Sequence, residues 1–271
     1  MGRIMYGLLG EKLGHSLSPS IHKMIFEELG IDAGYNLFEV EKSDLKDAMY
    51  GFRALGIRGI NVTIPYKIAV MQYLDEISAE AAKISAVNTI FFEDGKMKGY
   101  NTDYHGFGML LKRNGINTEG RSAIILGSGG SAKAVWQYLA DSGAREIKVV
   151  SRDSSRQITG FGDSCIISYE ELRQIESGDI IINCTPSGMY PNTDASPVEK
   201  EVVSRFSAAV DLIYNPKETM FLRYAGESGI KAVNGLYMLV GQAVKSQEIW
   251  NGIRISDDVT ESIFMSTSEL I

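Results

Sequence analysis

A glycine-rich turn between two apolar segments is the first place in the sequence whose pattern suits ligand binding. The turn, Gly127-Ser128-Gly129-Gly130-Ser131-Ala132, follows the apolar run at 123–126 and precedes an amphipathic stretch that ends near Gly143. Gly127 permits a tight turn out of a strand, and Gly129 lets the backbone approach a pyrophosphate. The N–H groups at the start of the next helix would bind phosphate oxygens. The pattern predicts a dinucleotide site; the alternative is a tight strand–helix turn without a ligand.

Lys67 is a charged residue at a position that a helix disfavours. Residues 65–67 are predicted to open a helix that runs toward Leu74, and a lysine in its first turn lies at the positive end of the helix dipole. This placement indicates that Lys67 is held there for a purpose. The alternative is an ordinary solvated lysine.

Several hydroxyl, carboxylate and amide residues are further candidates, each with a structural alternative. Ser18 precedes Pro19 and could cap a helix, which leaves Ser16 as a spare hydroxyl beside the cap. Asp103 could likewise cap the helix that follows it. Gln242 lies off the apolar stripe of a long predicted helix, where an exposed glutamine is the ordinary expectation.

Asn61 and Thr63 form a separate polar pair on a predicted strand. They lie two residues apart, so their side chains are expected on the same side of that strand.

Strands and helices alternate along the chain. Strands are predicted in the first half at 3–10, 35–40, 59–65, 86–92 and 96–100, with a hairpin turn at Asp94-Gly95. They are predicted in the second half at 123–126, 147–150, 180–183 and 208–213, before a long helix over Gly235–Ile253. The sequence therefore predicts an α/β protein in which a second α/β unit precedes the dinucleotide-binding unit.

The residues after the second strand of the dinucleotide unit bear on the cofactor. In NAD-binding units this strand usually ends with an acidic residue that binds the ribose hydroxyls. Here it is followed by Ser151 and Arg152, with Arg156 close behind, which favours the 2′-phosphate of NADP. Asp153 opposes that interpretation.

The composition excludes several classes of protein. The chain has 271 residues and a net charge of −7, which argues against nucleic acid as the main partner. No apolar run approaches the roughly 18 residues of a membrane helix, and the first residues resemble a strand more than a signal peptide. Cys165 and Cys184 have neither metal nor redox-motif spacing. We therefore expect a cytoplasmic protein that binds neither membranes nor nucleic acid.

Seven segments together closely resemble the shikimate dehydrogenase family, in the order that the family shows. They are Ser16-Leu17-Ser18-Pro19, Asn61 through Lys67, Ala86-Val87-Asn88-Thr89, Asn101-Thr102-Asp103, the glycine turn at Gly127, Asn183 through Met189, and Gly235 through Gln242. The resemblance implies an α/β substrate-binding domain over residues 1–102 and a Rossmann NADP-binding domain over 103–236. The C-terminal helices, residues 237–271, would return to the substrate domain.

The resemblance also implies an activity: the reversible, NADPH-dependent reduction of 3-dehydroshikimate to shikimate in aromatic amino-acid biosynthesis. Lys67 and Asp103 would be catalytic. As an ammonium, Lys67 stabilises negative charge on the ketone oxygen and gives it a proton, while Asp103 orients Lys67 and a substrate hydroxyl. No metal is needed, and either a monomer or a homodimer is expected.

The remaining site residues follow from the same motifs. Substrate binding is implied for Ser16, Ser18, Asn61, Thr63, Lys67, Asn88, Asp103, Tyr214 and Gln242. Cofactor binding is implied for Gly127, Ser128, Gly129, Gly130, Ser131 and Ala132 at the pyrophosphate, for Ser151, Arg152 and Arg156 at the adenosine phosphate, and for Thr185. Met189, Tyr214 and Gly235 would line the nicotinamide end.

Two alternatives stay open. The family commonly has Asn-Arg-Thr where this chain has Ser151-Arg152-Asp153. A carboxylate at Asp153 could hold a ribose hydroxyl, which would fit a quinate/shikimate dehydrogenase that uses NAD or both cofactors. The second alternative is a non-catalytic NADP(H)-sensing homologue, against which the presence of both Lys67 and Asp103 speaks.

Overall fold

The computed structural model describes residues 3–14, 16–153, 159–161 and 166–271. The chain divides into two compact units: the first comprises Met1–Gly106 and Val240–Leu270, and the second comprises Phe107–Leu239. Each unit contains one six-stranded sheet with helices. The predicted α/β class, with an N-terminal α/β domain, a Rossmann-type domain and C-terminal helices that return to the first, is confirmed.

The first unit is built from short elements that alternate along the chain. Its strands are β1 (Ile4–Gly10), β2 (Ala33–Glu39), β3 (Gly59–Val62), β4 (Glu76–Ile77), β5 (Thr89–Glu93) and β6 (Lys96–Tyr100). Its helices are α1 (Ser18–Leu29), α2 (Leu45–Ala54), α3 (Ala79–Ile84) and α10 (Asp257–Ser268). Two more helices, α4 (Thr102–Arg113) and α9 (Leu236–Asn251), have residues in both units.

The sheet of the first unit is mixed, in the order β2-β1-β3-β5-β6-β4. Strands β1, β2 and β3 run parallel, whereas β5 is antiparallel to both β3 and β6. The register places Asn61 opposite Thr89 across β3 and β5. Asp94 and Gly95 both have positive φ, as the predicted hairpin turn between β5 and β6 requires.

Trp250 of α9 completes the core of the first unit. It is fully buried, stacks on Tyr6 of β1 with ring centroids 4.9 Å apart, and donates its indole N–H to the carbonyl of Ile90 at 2.9 Å. A Cβ at Gly59 would overlap the Trp250 ring, so this strand position requires glycine for packing. The first strands of the chain therefore depend on a residue near its C-terminus.

The second unit carries a sheet in which all paired strands are parallel. Its strands are β7 (Ser122–Leu126), β8 (Glu146–Val150), β9 (Ile166–Ile167), β10 (Gly178–Asn183), β11 (Phe206–Asp211) and β12 (Lys231–Val233). Its remaining helices are α5 (Gly130–Asp141), α6 (Tyr169–Arg173), α7 (Lys200–Val203) and α8 (Met220–Glu227).

The strand order of this sheet is β12-β11-β10-β7-β8-β9. If the six strands are numbered 1 to 6 in chain order, with β7 as strand 1, the order across the sheet starting at the β9 edge is 3-2-1-4-5-6. This is the strand order of a doubly wound dinucleotide-binding fold. The order reverses between β7 and β10, and ligands of such folds bind beyond the carboxyl ends of the strands at that reversal. The loops that begin at Gly127 and Cys184 leave the sheet there.

The main departure from the predicted elements lies at 65–74. An α-helix is expected there, but Lys67 lies in a turn that leads into a short 3₁₀ helix, Ala69–Tyr73. The segment is so short that its few helical hydrogen bonds do not offset the conformational entropy lost in nucleating an α-helix. Its β-branched residues Ile68 and Val70 also disfavour an α-helix. Lys67 therefore does not lie at the positive end of a helix dipole, and the prediction that it does is wrong; any function of Lys67 has to be inferred from its contacts.

Candidate active site

Lys67 and Asp103 are brought together in the first unit. Lys67 Nζ donates to Asp103 Oδ2 at 2.6 Å, and the two side chains are only 11% and 7% exposed. The Lys67 carbonyl accepts a hydrogen bond from the Val87 N–H at 2.8 Å, which ties the turn to the segment before β5. An ammonium and a carboxylate held this close form a charge-assisted pair that can orient a substrate hydroxyl and exchange its proton.

Asn88 holds the other oxygen of the same carboxylate. Its side-chain amide donates to Asp103 Oδ1 at 2.8 Å and to Thr102 Oγ1 at 3.0 Å, while its own oxygen accepts the Thr102 N–H at 2.6 Å. Asn88 is buried, so these bonds are protected from water. Asp103 is thus held from both sides, with one oxygen toward Lys67 and the other toward Asn88.

Asp103 does not cap its helix. Helix α4 begins at Thr102, and the Asn101 side chain accepts the Tyr104 N–H at 3.3 Å, as a capping residue does. Asp103 lies within the first turn, where the positive end of the helix dipole favours a carboxylate. The alternative that Asp103 serves only as a helix cap is therefore wrong.

The cap at Ser18 is also assigned differently from the prediction. Ser18 is the first residue of α1, its side chain makes no capping bond, and its N–H donates to Ser16 Oγ at 3.2 Å. Ser16 is therefore the residue whose hydroxyl satisfies the helix start, whereas Ser18 is buried within its first turn. Burial raises the pKa of the neighbouring Tyr35 well above its usual value, which a hydrogen bond with Ser18 partly opposes.

Asn61 and Thr63 do not share one strand face, because β3 ends at Val62. Both ends of the Asn61 side-chain amide are hydrogen-bonded within the protein. Its oxygen accepts the Tyr35 hydroxyl at 2.8 Å, and its nitrogen donates to Ser246 at 2.8 Å and to Thr89 at 3.1 Å. Thr63 is half-buried and follows the strand, and its N–H donates to the Leu9 carbonyl at 2.9 Å.

Gln242 is buried, at 9% exposure, so the expectation of an exposed glutamine is wrong. Its carbonyl accepts the hydroxyl of Ser246 at 2.8 Å, one turn further along α9. Sequence reasoning missed Ser246, Thr89 and Tyr35, which join the predicted residues in one hydrogen-bonded cluster. The available signal was position: Ser246 lies four residues after Gln242, and Thr89 directly follows Asn88.

In the second unit, the glycine turn between β7 and α5 has the geometry of a phosphate-binding loop. Gly127 has φ 98°, and a Cβ there would lie 2.9 Å from the Thr185 methyl. Gly127 is therefore required by conformation and by space. Ser128, Gly130 and Ser131 are half-buried, and Ala132 is buried against the sheet.

Gly129 has a different reason to be glycine. It precedes α5 with extended backbone, φ −77° and ψ −176°, and apart from its two neighbours in the chain no described residue has an atom within 4 Å of a Cβ built on it. The chain's own packing therefore places no demand on this glycine. A close backbone approach to a pyrophosphate at the helix N-terminus accounts for it, so the residues present fit a dinucleotide.

The loop after β10 is shaped by Asn183. Its side-chain oxygen accepts the Thr185 N–H at 3.0 Å and hydroxyl at 2.7 Å, and its nitrogen donates to Asp211 Oδ1 at 3.0 Å. Burial raises the pKa of Asp211 to about 6, opposed by hydrogen bonds from Thr219, the Ile213 N–H and Asn183. Met189 at the end of this loop is 46% exposed.

Gly235 lies where the chain returns after β12. Its N–H donates to the Ile213 carbonyl at 3.0 Å, and a Cβ on it would overlap the Leu212 carbonyl. Gly235 is thereby fixed beside the loop that follows β11 and carries Tyr214, which is half-buried. The structure brings Gly127 together with Thr185, and Gly235 together with the segment at 212–213.

The predicted adenosine-phosphate residues follow β8. Ser151 and Asp153 form a small turn in which the Asp153 N–H donates to Ser151 Oγ at 3.3 Å. Arg152 is exposed at the tip of that turn. Arg156, the third predicted residue, lies outside the described residues.

Within the part of the chain that the structure describes, no group of three or more histidine, cysteine or acidic residues is arranged to hold a metal ion. Over the same residues, no helix is both long enough and apolar enough to span a bilayer.

Comparison with known proteins finds similarity to shikimate dehydrogenases in the first unit and over nearly the whole chain. The family model described as the shikimate dehydrogenase substrate binding domain matches residues 8–90. Shikimate dehydrogenase (NADP(+)) of Clostridium perfringens strain 13 is 50% identical over 262 residues, which cover 96% of this chain and 97% of that protein.

Solved structures show the same similarity. A chorismate mutase/shikimate 5-dehydrogenase fusion protein from Clostridium acetobutylicum has a TM-score of 0.96 and 53% identity, covering 100% of this chain and 99% of that one. Shikimate 5-dehydrogenase from Thermus thermophilus, solved in complex with NADP(H) and shikimate, has a TM-score of 0.87 and 32% identity. That match covers 97% of this chain and 99% of the other.

Proposed function

Because this chain belongs to the shikimate dehydrogenase family, we propose that it catalyses the reversible, NADPH-dependent reduction of 3-dehydroshikimate to shikimate. The observation that carries this proposal is the 2.6 Å pair of Lys67 and Asp103, nearly buried and held in orientation by Asn88. This reaction belongs to the shikimate pathway of aromatic amino-acid biosynthesis.

The first unit binds the substrate. Shikimate is small and carries one carboxylate and several hydroxyls, so a set of hydroxyl and amide side chains can recognise it by hydrogen bonds. Within this unit Ser16, Ser18, Thr63, Asn88, Asp103 and Gln242 supply such groups, whereas the Asn61 amide is engaged by Tyr35, Ser246 and Thr89. The match of residues 8–90 to a substrate-binding family model supports this assignment.

Lys67 acts on the oxygen that gains charge during reduction. Bound NADPH would supply a hydride for the ketone carbon, and the ketone oxygen would then gain negative charge. The Lys67 ammonium stabilises that charge and donates its proton to the oxygen, which completes the alcohol. Asp103 keeps the ammonium in place and accepts a hydrogen bond from a substrate hydroxyl. In the reverse direction Lys67 recovers the proton from the alcohol.

The second unit binds NADP. The turn from Gly127 to Ala132 holds the pyrophosphate, and Ser151, Arg152 and Arg156 bind the adenosine phosphate. Thr185, Met189, Tyr214 and Gly235 lie toward the nicotinamide. The parallel sheet with its reversal between β7 and β10, and the glycine at 129 that packing does not require, support this assignment.

A second candidate rests on Asp153, which follows Arg152 in the turn after β8. A carboxylate near the 2′ position favours a ribose hydroxyl over a phosphate, which fits a quinate/shikimate dehydrogenase with NAD or dual cofactor use.

The test is a steady-state assay that follows reduction of NADP⁺ and NAD⁺ with shikimate and with quinate. Rapid reduction of NADP⁺ by shikimate alone supports the proposed function. Comparable rates with quinate or NAD⁺ favour the second candidate. No turnover together with tight NADP(H) binding contradicts both and favours a non-catalytic sensor.

A further inference from the structure

Three fully buried hydroxyls meet at one point in the first unit. Thr89 Oγ1 of β5 lies 3.0 Å from Ser246 Oγ of α9, and Thr102 Oγ1 of α4 lies 3.0 Å from Thr89 and 3.2 Å from Ser246. We call this triangle the hydroxyl junction. It links three elements that each carry, or directly adjoin, a residue of the proposed substrate site: Asn88, Asp103 and Gln242.

The Gln242 carbonyl gives the Ser246 hydroxyl an acceptor within its own helix. The hydroxyl donates to this carbonyl at 2.8 Å, and a carbonyl can only accept. With its proton directed to that carbonyl, Ser246 Oγ accepts from its other neighbours. One of them is the Asn61 amide, which donates at 2.8 Å and whose oxygen is occupied by the Tyr35 hydroxyl. The other is a threonine hydroxyl of the junction.

The junction also bears on the orientation of Asn88. Its oxygen accepts the Thr102 N–H at 2.6 Å and lies 3.2 Å from the hydroxyls of both Thr89 and Thr102. Its nitrogen must then face Asp103 Oδ1 at 2.8 Å. The opposite orientation of the amide would set its oxygen against the carboxylate and its nitrogen against a backbone N–H, so both contacts would become repulsive.

We propose that Ser246 is a positioning residue for the dehydrogenation. By closing the hydroxyl junction it keeps Asn88, and through Asn88 the Asp103 carboxylate, in the orientation that faces Lys67. It also fixes the turn of α9 that carries Gln242. This inference rests on the proposed function, and it extends the functional set to a residue that makes no contact with Lys67 or Asp103 itself.

Loss of the Ser246 hydroxyl would disturb the junction in a defined way. The Asn61 amide would lose its 2.8 Å acceptor, and a threonine hydroxyl would lose a partner, in a place from which water is excluded. The Thr89 and Thr102 hydroxyls would rotate toward each other or toward Asn88 Oδ1, which changes the bonds that hold Asn88 and, through Asn88, the Asp103 carboxylate. A small misplacement of a catalytic group is enough to lower turnover strongly.

The experiment compares Ser246→Ala with Thr267→Val, a matched control. Thr267 is also fully buried in a C-terminal helix of the first unit and makes the same hydroxyl-to-carbonyl bond, to Ile263 at 2.7 Å, but it has no contact with the junction. We expect Ser246→Ala to lower kcat for shikimate about tenfold or more at an unchanged KM for NADP⁺. Thr267→Val should keep the wild-type kcat.

Thr89→Val and Thr89→Ser provide a second pair of variants, which tests the positioning role of the hydroxyl junction if Ser246→Ala does not fold. Valine has the shape of threonine without the hydroxyl, so it should lower kcat as Ser246→Ala does, whereas serine should restore most of it. Wild-type kcat in Ser246→Ala or Thr89→Val, or an equal loss in Thr267→Val, overturns the inference. Absence of shikimate turnover in the wild-type protein would instead overturn the proposed function, and this inference with it.

Discussion

Lys67 and Asp103 form an ion pair of 2.6 Å although 36 positions separate them in the sequence and they lie on different elements. Both side chains are almost removed from water, so the attraction between them is screened less than at a surface. Leaving either charge without the other in such a place is costly. The pair is therefore strongly held, and its disruption should be visible in turnover.

Lys67→Met should keep the fold and most of the affinity for shikimate but lower kcat by roughly two to four orders of magnitude, the range for a lost general acid. Methionine retains the length of the side chain without the ammonium. The matched control is Lys98→Met, which removes another ion-paired lysine of the first unit, 2.9 Å from Glu93, and should leave kcat unchanged. A kcat of Lys67→Met within a few-fold of the wild type would contradict the assigned role.

Gln242→Ala should raise KM for shikimate more than it lowers kcat. A glutamine side chain does not exchange protons at neutral pH but can hydrogen-bond a hydroxyl, and one such bond is worth about 0.5–1.5 kcal/mol. A rise in KM of about two- to tenfold is therefore expected. Gln137→Ala, at another buried glutamine, should affect stability without changing this KM. An unchanged KM in Gln242→Ala would mean that the buried amide serves only packing.

The wild-type protein should prefer NADP⁺ over NAD⁺ by at least about tenfold in kcat/KM, because the sequence predicts that Arg152 and Arg156 bind the 2′-phosphate. Each such donor is worth roughly 1.5–3 kcal/mol before solvent exposure reduces its effect. Arg152→Ala should remove most of this preference by weakening NADP⁺ while hardly changing NAD⁺. Arg145→Ala, at an exposed arginine just before β8, is the control. Equal kcat/KM for both cofactors in the wild type would shift the assignment to the dual-cofactor enzyme.

Asp211 should make the stability of the protein depend on pH below neutrality. Burial raises its pKa from 3.8 to about 6 in the folded state, so the folded protein binds this proton more tightly than the unfolded chain does. The stability that the protonated carboxyl contributes is fully present below about pH 3.8 and is lost as the pH rises through about 6. A shift of about two pK units is worth about 3 kcal/mol.

The measurement is the free energy of unfolding of the wild type relative to Asp211→Asn, obtained by denaturant titration from about pH 4 to pH 7. The wild type should lose up to about 3 kcal/mol relative to the variant as the pH rises. Asp179→Asn is the control, because hydrogen bonds from Ser122 and Arg121 lower the pKa of Asp179. Any pH dependence of stability that Asp179 causes therefore lies below the pH range of this titration. A difference for Asp211→Asn that does not change with pH would show that the carboxyl titrates normally.

The sequence predicts the fold well because the patterns that decide it are local. Runs of β-branched residues, glycine turns and amphipathic stretches mark β7, α5 and β8 within a few residues of their observed bounds. The segment at Lys67 is the exception: its turn and 3₁₀ helix depend on tertiary packing of Tyr66 and Val70, which are buried. The sequence pattern favours a helix position for Lys67, which lies in a turn instead.

The site is predicted in part. Motifs place Lys67, Asn88 and Asp103 in the functional set, and the structure joins them by hydrogen bonds. Sequence preference cannot say which of several nearby polar residues caps a helix. Ser16 and Asn101 accept the N–H groups at the starts of α1 and α4, whereas Ser18 and Asp103 are the capping alternatives that the sequence offers. Ser246 lies one helical turn after Gln242, which is a weak signal, and its hydrogen-bond partners Thr102 and Thr89 lie more than 140 positions away along the chain.

The dependence of β1 and β3 on Trp250 has a consequence for the order of folding during synthesis. The second unit, Phe107–Leu239, is one continuous stretch and can fold as soon as it leaves the ribosome. The first hundred residues emerge earlier but must wait for α9 before Tyr6 and Gly59 gain the indole ring that covers them. Until α9 has been synthesised, the apolar faces of these strands remain uncovered, and exposed apolar surface of this kind is prone to aggregation.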